Sequence, residues 1–449
     1  PDGSFVISKG GQQTEAETPH SGRALSISRD GKQVDYFAYG LRNGYLSSHP
    51  SEDLLTASDQ QGNWVPSTPF HIVRPESYLG YALGAPFEEQ EIQSPALWIP
   101  HRMAQSGIMQ VWATDPRMGP LEDSILYIDY QHPRIFRIFA PDTSDLVQVA
   151  GMPMSLDFKT PLLKGAMNPR DGRPYFVGFQ IWDTRATHLE GLCRLRVVAE
   201  TDGDPVDVEV LANGLRLTFA EQLDFERASN PANYQVSSWE YLRTPEYGSA
   251  QYQANGEAGV DAWFVHSALV SEDGHSVFLA IDGVRETMQL EVQYNLFEKW
   301  RPVYFTVNEL RNGDLADYGF GPLDFAALFA GEPAPRQKTS TQAIVSVARG
   351  MELSTTIGCI GCHSIDGTTE GRSGPSWLGS HKAKRTLLDG STVKVTEDYL
   401  RTSIWDPTAA IAVGYDGAEA GMPSYRGILS EEDVESLVMF IVSLGRAPQ

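Results

Sequence analysis

The run Cys359-Ile360-Gly361-Cys362-His363 decides how this chain is read. Two cysteines three residues apart, with a histidine directly after the second, form the attachment pattern of a c-type haem. The spacing has a physical reason. Thiols so placed reach the two vinyl groups of one haem and form thioethers, and His363 then lies beneath the iron as its proximal ligand. The competing readings are a redox dithiol and half of a zinc site. A zinc site needs two further ligands, and the sequence holds one other cysteine, Cys193. A thioredoxin-like dithiol expects a strand–helix–strand context, which the flanking sequence lacks.

Outward from this run, a second axial ligand is expected downstream. Gly421-Met422-Pro423-Ser424-Tyr425 supplies a methionine in a polar loop just before a helical stretch. A thioether sulfur is soft, favours Fe(II) and raises the potential, so Met422 is the expected distal ligand and Pro423 the residue that stiffens its loop. His381 is the competing candidate. Met351 and Met439 fall in helical apolar stripes and are expected to pack. Gly374-Pro375 follows the haem run by about a dozen residues. The Pro375 carbonyl can accept the His363 Nδ1–H and fix the ring's tautomer; a plain turn is the alternative. Trp377, Trp405, Tyr415 and Tyr425 are candidates to pack on the macrocycle or bond its propionates, with ordinary core packing as the competing role of each.

Helical spacing covers Ala343–Thr356, Glu397–Ile404 and Ser430–Leu444. Ser430-Glu-Glu-Asp433 supplies an N-cap and early acids, and Val434, Leu437, Val438 and Ile441 form one apolar stripe. In this order, with GPSWLG, YLRTSIWDP and LSEEDVESLV, residues from about 343 to 446 resemble a class I cytochrome c. The resemblance is to the mono-haem domains fused to oxidases and dehydrogenases. It implies Cys359 and Cys362 as thioether sites, His363 as proximal ligand, Met422 as distal ligand and the Pro375 carbonyl as partner of His363.

The whole chain has 449 residues, too many for one core. Its net charge of −23 disfavours nucleic acid and anionic membrane surfaces, and at long range favours basic partners. Mean hydropathy is −0.28, and no apolar run is long enough to span a membrane as a helix. The three cysteines argue against a disulfide framework. The opening Pro1-Asp2-Gly3 is read as that of a mature, processed or truncated product.

Before residue 340 the pattern is short alternating strands and turns. Arg23–Tyr36 is a hairpin around Asp30-Gly31, and strands are expected at Ser124–Tyr130, Arg134–Ala140 and Arg173–Gly178. Val208–Leu211, Leu215–Phe219, Tyr234–Trp239, Val277–Ile281 and Gln289–Tyr294 read as a second β unit. Cys193 falls in an alternating strand and is expected to be a buried thiol. No internal repeat is legible. The expected organisation is a propeller-like segment over 1–200, an Ig-like β-sandwich over 203–310, a linker over 311–342 including the Pro-containing Gly331–Ser340, and the haem domain over 343–449. The fold class is thus mainly β and multi-domain, a partial β-propeller plus an Ig-like sandwich, with an all-α class I cytochrome c domain.

Gly40-Leu-Arg-Asn43, Asp59–Pro66, His71–Gly80, Trp98-Ile-Pro-His101 and Asn168–Gly172 resemble segments of the sorbosone- or glucose-dehydrogenase-like propeller found in large secreted bacterial haem proteins. Residues 215–236 resemble the sandwich of the same family. This likeness implies a quinone-dependent sugar or alcohol dehydrogenase using pyrroloquinoline quinone (PQQ) and calcium. At roughly 40–50 residues per blade, about 195 residues make about four blades, short of the six that the family implies. A companion chain is expected to supply the rest, and no catalytic base transfers. The Arg, His and Trp of these segments can grip an anionic quinone or a sugar, but taken singly they are read as locking turns.

The expected function is electron transfer through one covalent haem c, with a redox partner protein and a sugar substrate, in the periplasm or outside the cell. The alternatives are a non-enzymatic glycan- or partner-binding β module that positions the cytochrome, and a gas-binding haem sensor.

Overall fold

The computed structural model describes residues 3–12, 20–82, 90–101, 103–140, 147–182, 184–197, 203–313, 315–329, 346–370, 372–415, 422, 424–425 and 429–445. The chain divides into two compact units, 1–246 with 261–335, and 247–260 with 336–449.

The first unit is built of antiparallel sheets in series. Strands β1 (Phe5–Lys9), β2 (Arg23–Ile27) and β3 (Val34–Tyr39) form a three-stranded sheet. The predicted turn closes it: Gly31 has φ 71°, and its N–H donates to the Ser28 carbonyl. Strands β4 (Tyr45–Ser48), β5 (Leu55–Ser58), β6 (Thr68–Val73) and β7 (Leu97–Ile99) form the next sheet. β8 (Gly107–Ala113), β9 (Ser124–Asp129), β10 (Arg134–Phe139) and β11 (Ala150–Asp157) pair in order in a third. β12 (Lys164–Asn168), β13 (Arg173–Phe179) and β14 (Glu190–Arg194) form a fourth, three-stranded one. The first strands pack in sequence, β1 on β4, β4 on β8 and β8 on β12.

A repeat does exist, in hydrogen bonding rather than in sequence. Asp59, just past β5, accepts the backbone N–H groups of Arg42, Asn43 and Gln60. Asp129, ending β9, accepts those of Gln105, Ser106 and His132. In both sheets a buried carboxylate at the end of the second strand ties down the segment leading into the first. Burial pushes the Asp59 carboxyl up to about 6 against the three amides, which pull it down. An isolated aspartate carries no such signal, so the repeat is invisible in the sequence.

The sandwich follows. Its strands are β15 (Pro205–Leu211), β16 (Gly214–Phe219), β17 (Tyr234–Trp239), β18 (Asp261–Trp263), β19 (Ser267–Val270), β20 (Ser276–Ala280), β21 (Thr287–Tyr294) and β22 (Arg301–Val307). One face has the order β15-β16-β20-β19, the other β18-β17-β21-β22. The inward residues Leu217, Val277, Leu279, Leu290, Val292 and Val303 are fully buried between them. The second face does not stop there. β22 pairs with β11 through Ala150↔Phe305 and Gly151↔Tyr304, which makes one eight-stranded sheet. Gly151 lets β11 lie close against β10, because a Cβ there would lie 2.4 Å from the Phe136 ring. Phe139, Ala150 and Met152 consequently share the sandwich core. The sequence reading separates these two β regions near residue 200, and the pairing across that boundary is a tertiary event.

Part of the expected linker is also structured. The turn at Leu315–Tyr318 and a short helix, Phe325–Phe329, set Leu315, Phe320 and Phe325 against Leu211 and Phe278 of the sandwich. The Pro-containing stretch 331–340 lies outside the described residues. Cys193 is half-buried, packed beside the core of the third and fourth sheets, and burial pushes its thiol up. Exposed apolar side chains gather on the two end sheets: Phe5, Ile7, Val34 and Tyr36 on the first, Val177, Phe179 and Leu192 on the fourth.

The second unit is helical where helices were expected. α1 (Val347–Thr356), α2 (Cys359–Cys362), α3 (Glu397–Trp405) and α4 (Glu431–Ser443) are its helices. Ser430 caps α4 by accepting the Asp433 N–H at 3.1 Å, and the stripe Val434, Leu437, Val438 and Ile441 is buried. α1 crosses α4 closely at Gly350, where a Cβ would lie 1.9 Å from the Ser436 carbonyl oxygen. Met351 and Met439 do not pack: they are 55% and 38% exposed. Each sits just off the stripe that its helix buries, beside Gly350 or between Val438 and Phe440. A hairpin of β23 (Lys384–Thr386) and β24 (Thr392–Lys394) was not expected in an all-α domain. Among the described residues no helix is long and apolar enough to cross a membrane.

Candidate functional site

α2 is a single turn, and that turn sets the site. Gly358, at φ 92°, opens it, and the His363 N–H donates to the Cys359 carbonyl at 2.9 Å. One turn therefore carries both thiols and the imidazole to one wall. Arg372 was not singled out from sequence, yet its Nη1 donates to the carbonyls of Ile360 and Gly361 and ties down the end of the turn. The following chain is pinned alongside: the Gly374 N–H donates to the Cys362 carbonyl, and the Trp377 N–H to the Ser364 carbonyl.

This pinning decides the chemistry of His363. Its Nδ1 lies 2.8 Å from the Pro375 carbonyl oxygen. A carbonyl only accepts, so Nδ1 bears the hydrogen and Nε2 keeps a lone pair. The ring is 8% exposed and stacks on Trp377 at 5.0 Å and 16°. Burial first, and then the Arg385 charge, pull its pKa down to about 4, against the Pro375 hydrogen bond. The imidazole is thus neutral near pH 7, as a metal ligand must be. Gly374 is required here, because a Cβ would stand 2.6 Å from Cε1 of the ring.

Cys359, Cys362, His363, Pro375, Trp377, Met422 and Tyr425 all line one cavity. Space free of atoms amounts to about 1320 Å³, part of it open to solvent. Cys359 is buried and Cys362 exposed. The Met422 loop is held to the end of α3: the Tyr425 N–H donates to the Ile404 carbonyl, and Ser424 Oγ to the Trp405 carbonyl at 2.6 Å. Pro423, the expected stiffener, lies outside the described residues. Val395, Leu400, Ile404, Ile411 and Ile441 complete an apolar wall. Arg385, which the sequence reading missed, brings a guanidinium to it, suited to a carboxylate. Two thiols at one edge, an imidazole with a free nitrogen, a thioether and apolar walls fit a covalent haem.

The competing candidates fall elsewhere. His381 lies 3.0 Å from Glu397 and does not line the cavity. Tyr415 lines it, whereas Trp405 packs at the edge of the helical core.

The motif residues of the first unit lock turns. Arg42 is buried and donates to the Gln61 carbonyl. His101 lies 2.5 Å from Gln61 and 2.8 Å from Gln105. Arg117 donates to the carbonyls of Pro169 and Arg170, which holds the Asn168–Gly172 turn. Among the described residues no group of three or more His, Cys, Asp or Glu gathers to hold a metal ion.

Comparison with known proteins gives a match to solved structures and a match to one family. A putative oxidoreductase (glucose dehydrogenase) of Thermus thermophilus is similar at 15% identity and a TM-score of 0.31, over 39% of this chain and 56% of that one. The PQQ-bound aldose sugar dehydrogenase of Streptomyces coelicolor gives 15% and 0.31, over 39% of this chain and 53% of that one. The apo soluble aldose sugar dehydrogenase of Escherichia coli gives 12% and 0.30, over 39% and 57%. The chain thus spans less than two thirds of each of these structures. No curated protein matches it significantly. Residues 347–445 match the family model of cytochrome c, and this C-terminal region is a cytochrome c domain.

Proposed function

We propose that the chain transfers electrons through one haem c held by Cys359, Cys362, His363 and Met422, and that the haem relays electrons from a quinone-dependent sugar or alcohol dehydrogenase outside the cytoplasm. The observation that carries the haem reading is the imidazole: buried, neutral, tied by Nδ1 to Pro375, with Nε2 left on a cavity that Met422 and both cysteines share. When bound, a haem with His and Met ligands supplies a low-spin one-electron couple of raised potential. The chain's own residues orient the ligands, hold the proton on Nδ1 and keep water off the apolar wall.

The dehydrogenase reading rests on the propeller-like motifs of the first unit. Its four consecutive sheets, packed through β1, β4, β8 and β12, are read as blades of an incomplete propeller. The exposed apolar side chains on the two end sheets support further blades covering them. One observation favours the second reading, a non-enzymatic β module that positions the cytochrome: Arg42, His101 and the Asn168–Gly172 turn are spent on internal hydrogen bonds.

Mass spectrometry of the native protein tests the first claim, with one covalent haem expected on the 359–363 peptide; an unmodified peptide would refute it. Reduction of that haem by a sugar, after PQQ and calcium are added to the complete assembly, tests the second. No reduction by any sugar leaves the positioning module.

A further inference from the structure

The last strand of each of the first three sheets is covered. Along β3 the Glu76 N–H donates to the Phe37 carbonyl, the Tyr39 N–H to the Ser77 carbonyl and the Leu79 N–H to the Tyr39 carbonyl. On β7, which lies against β22, the Trp98 N–H donates to Thr306 Oγ1. β11 pairs with β22. The fourth sheet is the exception: among the described residues β14 pairs with β13 alone. An uncovered strand edge is a template for another strand.

The bonds at either end of β14 show which of its groups face outward. The Leu195 N–H donates to the Pro174 carbonyl, and the Gln180 N–H to the Leu189 carbonyl. Bonded and non-bonded pairs alternate along an antiparallel ladder. Gly191 and Cys193 therefore turn their N–H and C=O to β13, whereas Glu190, Leu192 and Arg194 turn theirs to the open edge. The side chains of these same three residues are exposed, Leu192 by 68%, and the adjoining Leu189 is 73% exposed.

This edge is complementary to itself. A second copy laid antiparallel, with a two-fold axis at Leu192, sets Leu192 against its own equivalent and Glu190 against Arg194 of the other copy, once on each side of the axis. Each opposed pair then exchanges both of its N–H···O bonds. Slipping the register by one residue turns the bonding groups of one strand away. Slipping it by two keeps the bonds but sets Leu192 against a charge. Only the register centred on Leu192 joins apolar to apolar and acid to base. Charges that guard an edge against pairing repel their own kind, and these two attract under the two-fold.

We infer that the β14 edge joins two copies of this chain into a two-fold dimer with one sheet running across the axis. The inference stands apart from the haem reading, because it uses only the backbone and three side chains of the fourth sheet.

Sedimentation velocity of the full chain over a concentration series tests it, with circular dichroism to show that each variant is folded. The wild type should pass from monomer to dimer as concentration rises. Glu190→Arg alone, or Arg194→Glu alone, sets like charges opposite each other on both sides of the axis and should weaken the dimer by about tenfold. Glu190→Arg with Arg194→Glu in one chain should restore it. An equimolar mixture of the two single variants should associate more tightly than either alone, because the mixed dimer again opposes acid to base. A wild type that stays monomeric would overturn the inference. So would a dimer that both single variants leave intact, or a loss that neither the double variant nor the mixture recovers.

Discussion

Replacing Gly374 with alanine puts a methyl group where His363 already stands. The added carbon would lie 2.6 Å from Cε1, 2.7 Å from Nδ1 and 3.0 Å from Nε2. Carbon contacts settle at about 3.5–4.0 Å, so ring or backbone must give by about 1 Å. The Nδ1···O contact to Pro375 is 2.8 Å, and such a shift takes it past the roughly 3.2 Å at which the bond is effective. The ring also stacks on Trp377, so a tilt disturbs that contact too. Overpacking costs about 1–3 kcal/mol, and a buried N–H left without its acceptor costs about 1–3 kcal/mol more. Gly374→Ala should therefore destabilise the haem domain by about 2–6 kcal/mol, against a typical total of about 5–15 kcal/mol. Urea unfolding of the full chain, followed by haem absorbance, reads the loss. The reduction potential should move in the same variant, because the Pro375 bond sets how strongly Nε2 donates. An unchanged midpoint together with an unchanged potential would refute the argument that Gly374 and Pro375 hold the ligand.

Three further outcomes are expected. Met422→Ala should abolish the far-red sulfur-to-iron absorption band and lower the potential, and a band that survives would remove Met422 from the ligand set. Asp129→Ala should destabilise the β unit by about 3–5 kcal/mol in urea titration, since three backbone N–H groups and His132 lose a buried acceptor; a loss below about 1 kcal/mol would show that the Asp129 repeat does not hold the sheet. His71 is buried, and burial, then Arg243, pulls its pKa down to about 3. Its contribution is full above about 6.5 and is lost as pH falls toward 3, because only the unfolded chain takes up the proton there. The stability gap between wild type and His71→Gln should thus shift by about 2 kcal/mol against wild type between pH 6.5 and 5, at roughly 1.4 kcal/mol per pH unit. A gap that does not change with pH would refute the assignment.

What was legible in advance was whatever a few adjacent residues settle among themselves. The CIGCH run carries its own geometry, because one helical turn suffices to align two thiols and an imidazole. The Ser430 cap and the stripe from Val434 to Ile441 define α4 by local hydrogen bonding and period. Asp30-Gly31 defines its hairpin by the backbone angle that glycine permits. Pro375 was legible as the His363 acceptor because a chain of a dozen residues returns easily to its start.

The rest depends on partners distant in the chain. That Met422 shares a cavity with His363 follows from Tyr425 and Ser424 bonding to the end of α3. Arg385 reaches that cavity only because an unforeseen hairpin folds over it, and the same hairpin sets Lys384 against Lys394. Met351 and Met439 looked like core, and only the crossing of α1 on α4 at Gly350 shows which helix faces are spent. The β11–β22 pairing joins sheets separated by about 150 residues, and backbone hydrogen bonds of that span leave no trace in composition or period. The sequence by itself determined the haem chemistry, since covalent attachment is local. The tertiary structure decided which residues line the cavity beside His363, since cavities are made by segments that meet only on folding.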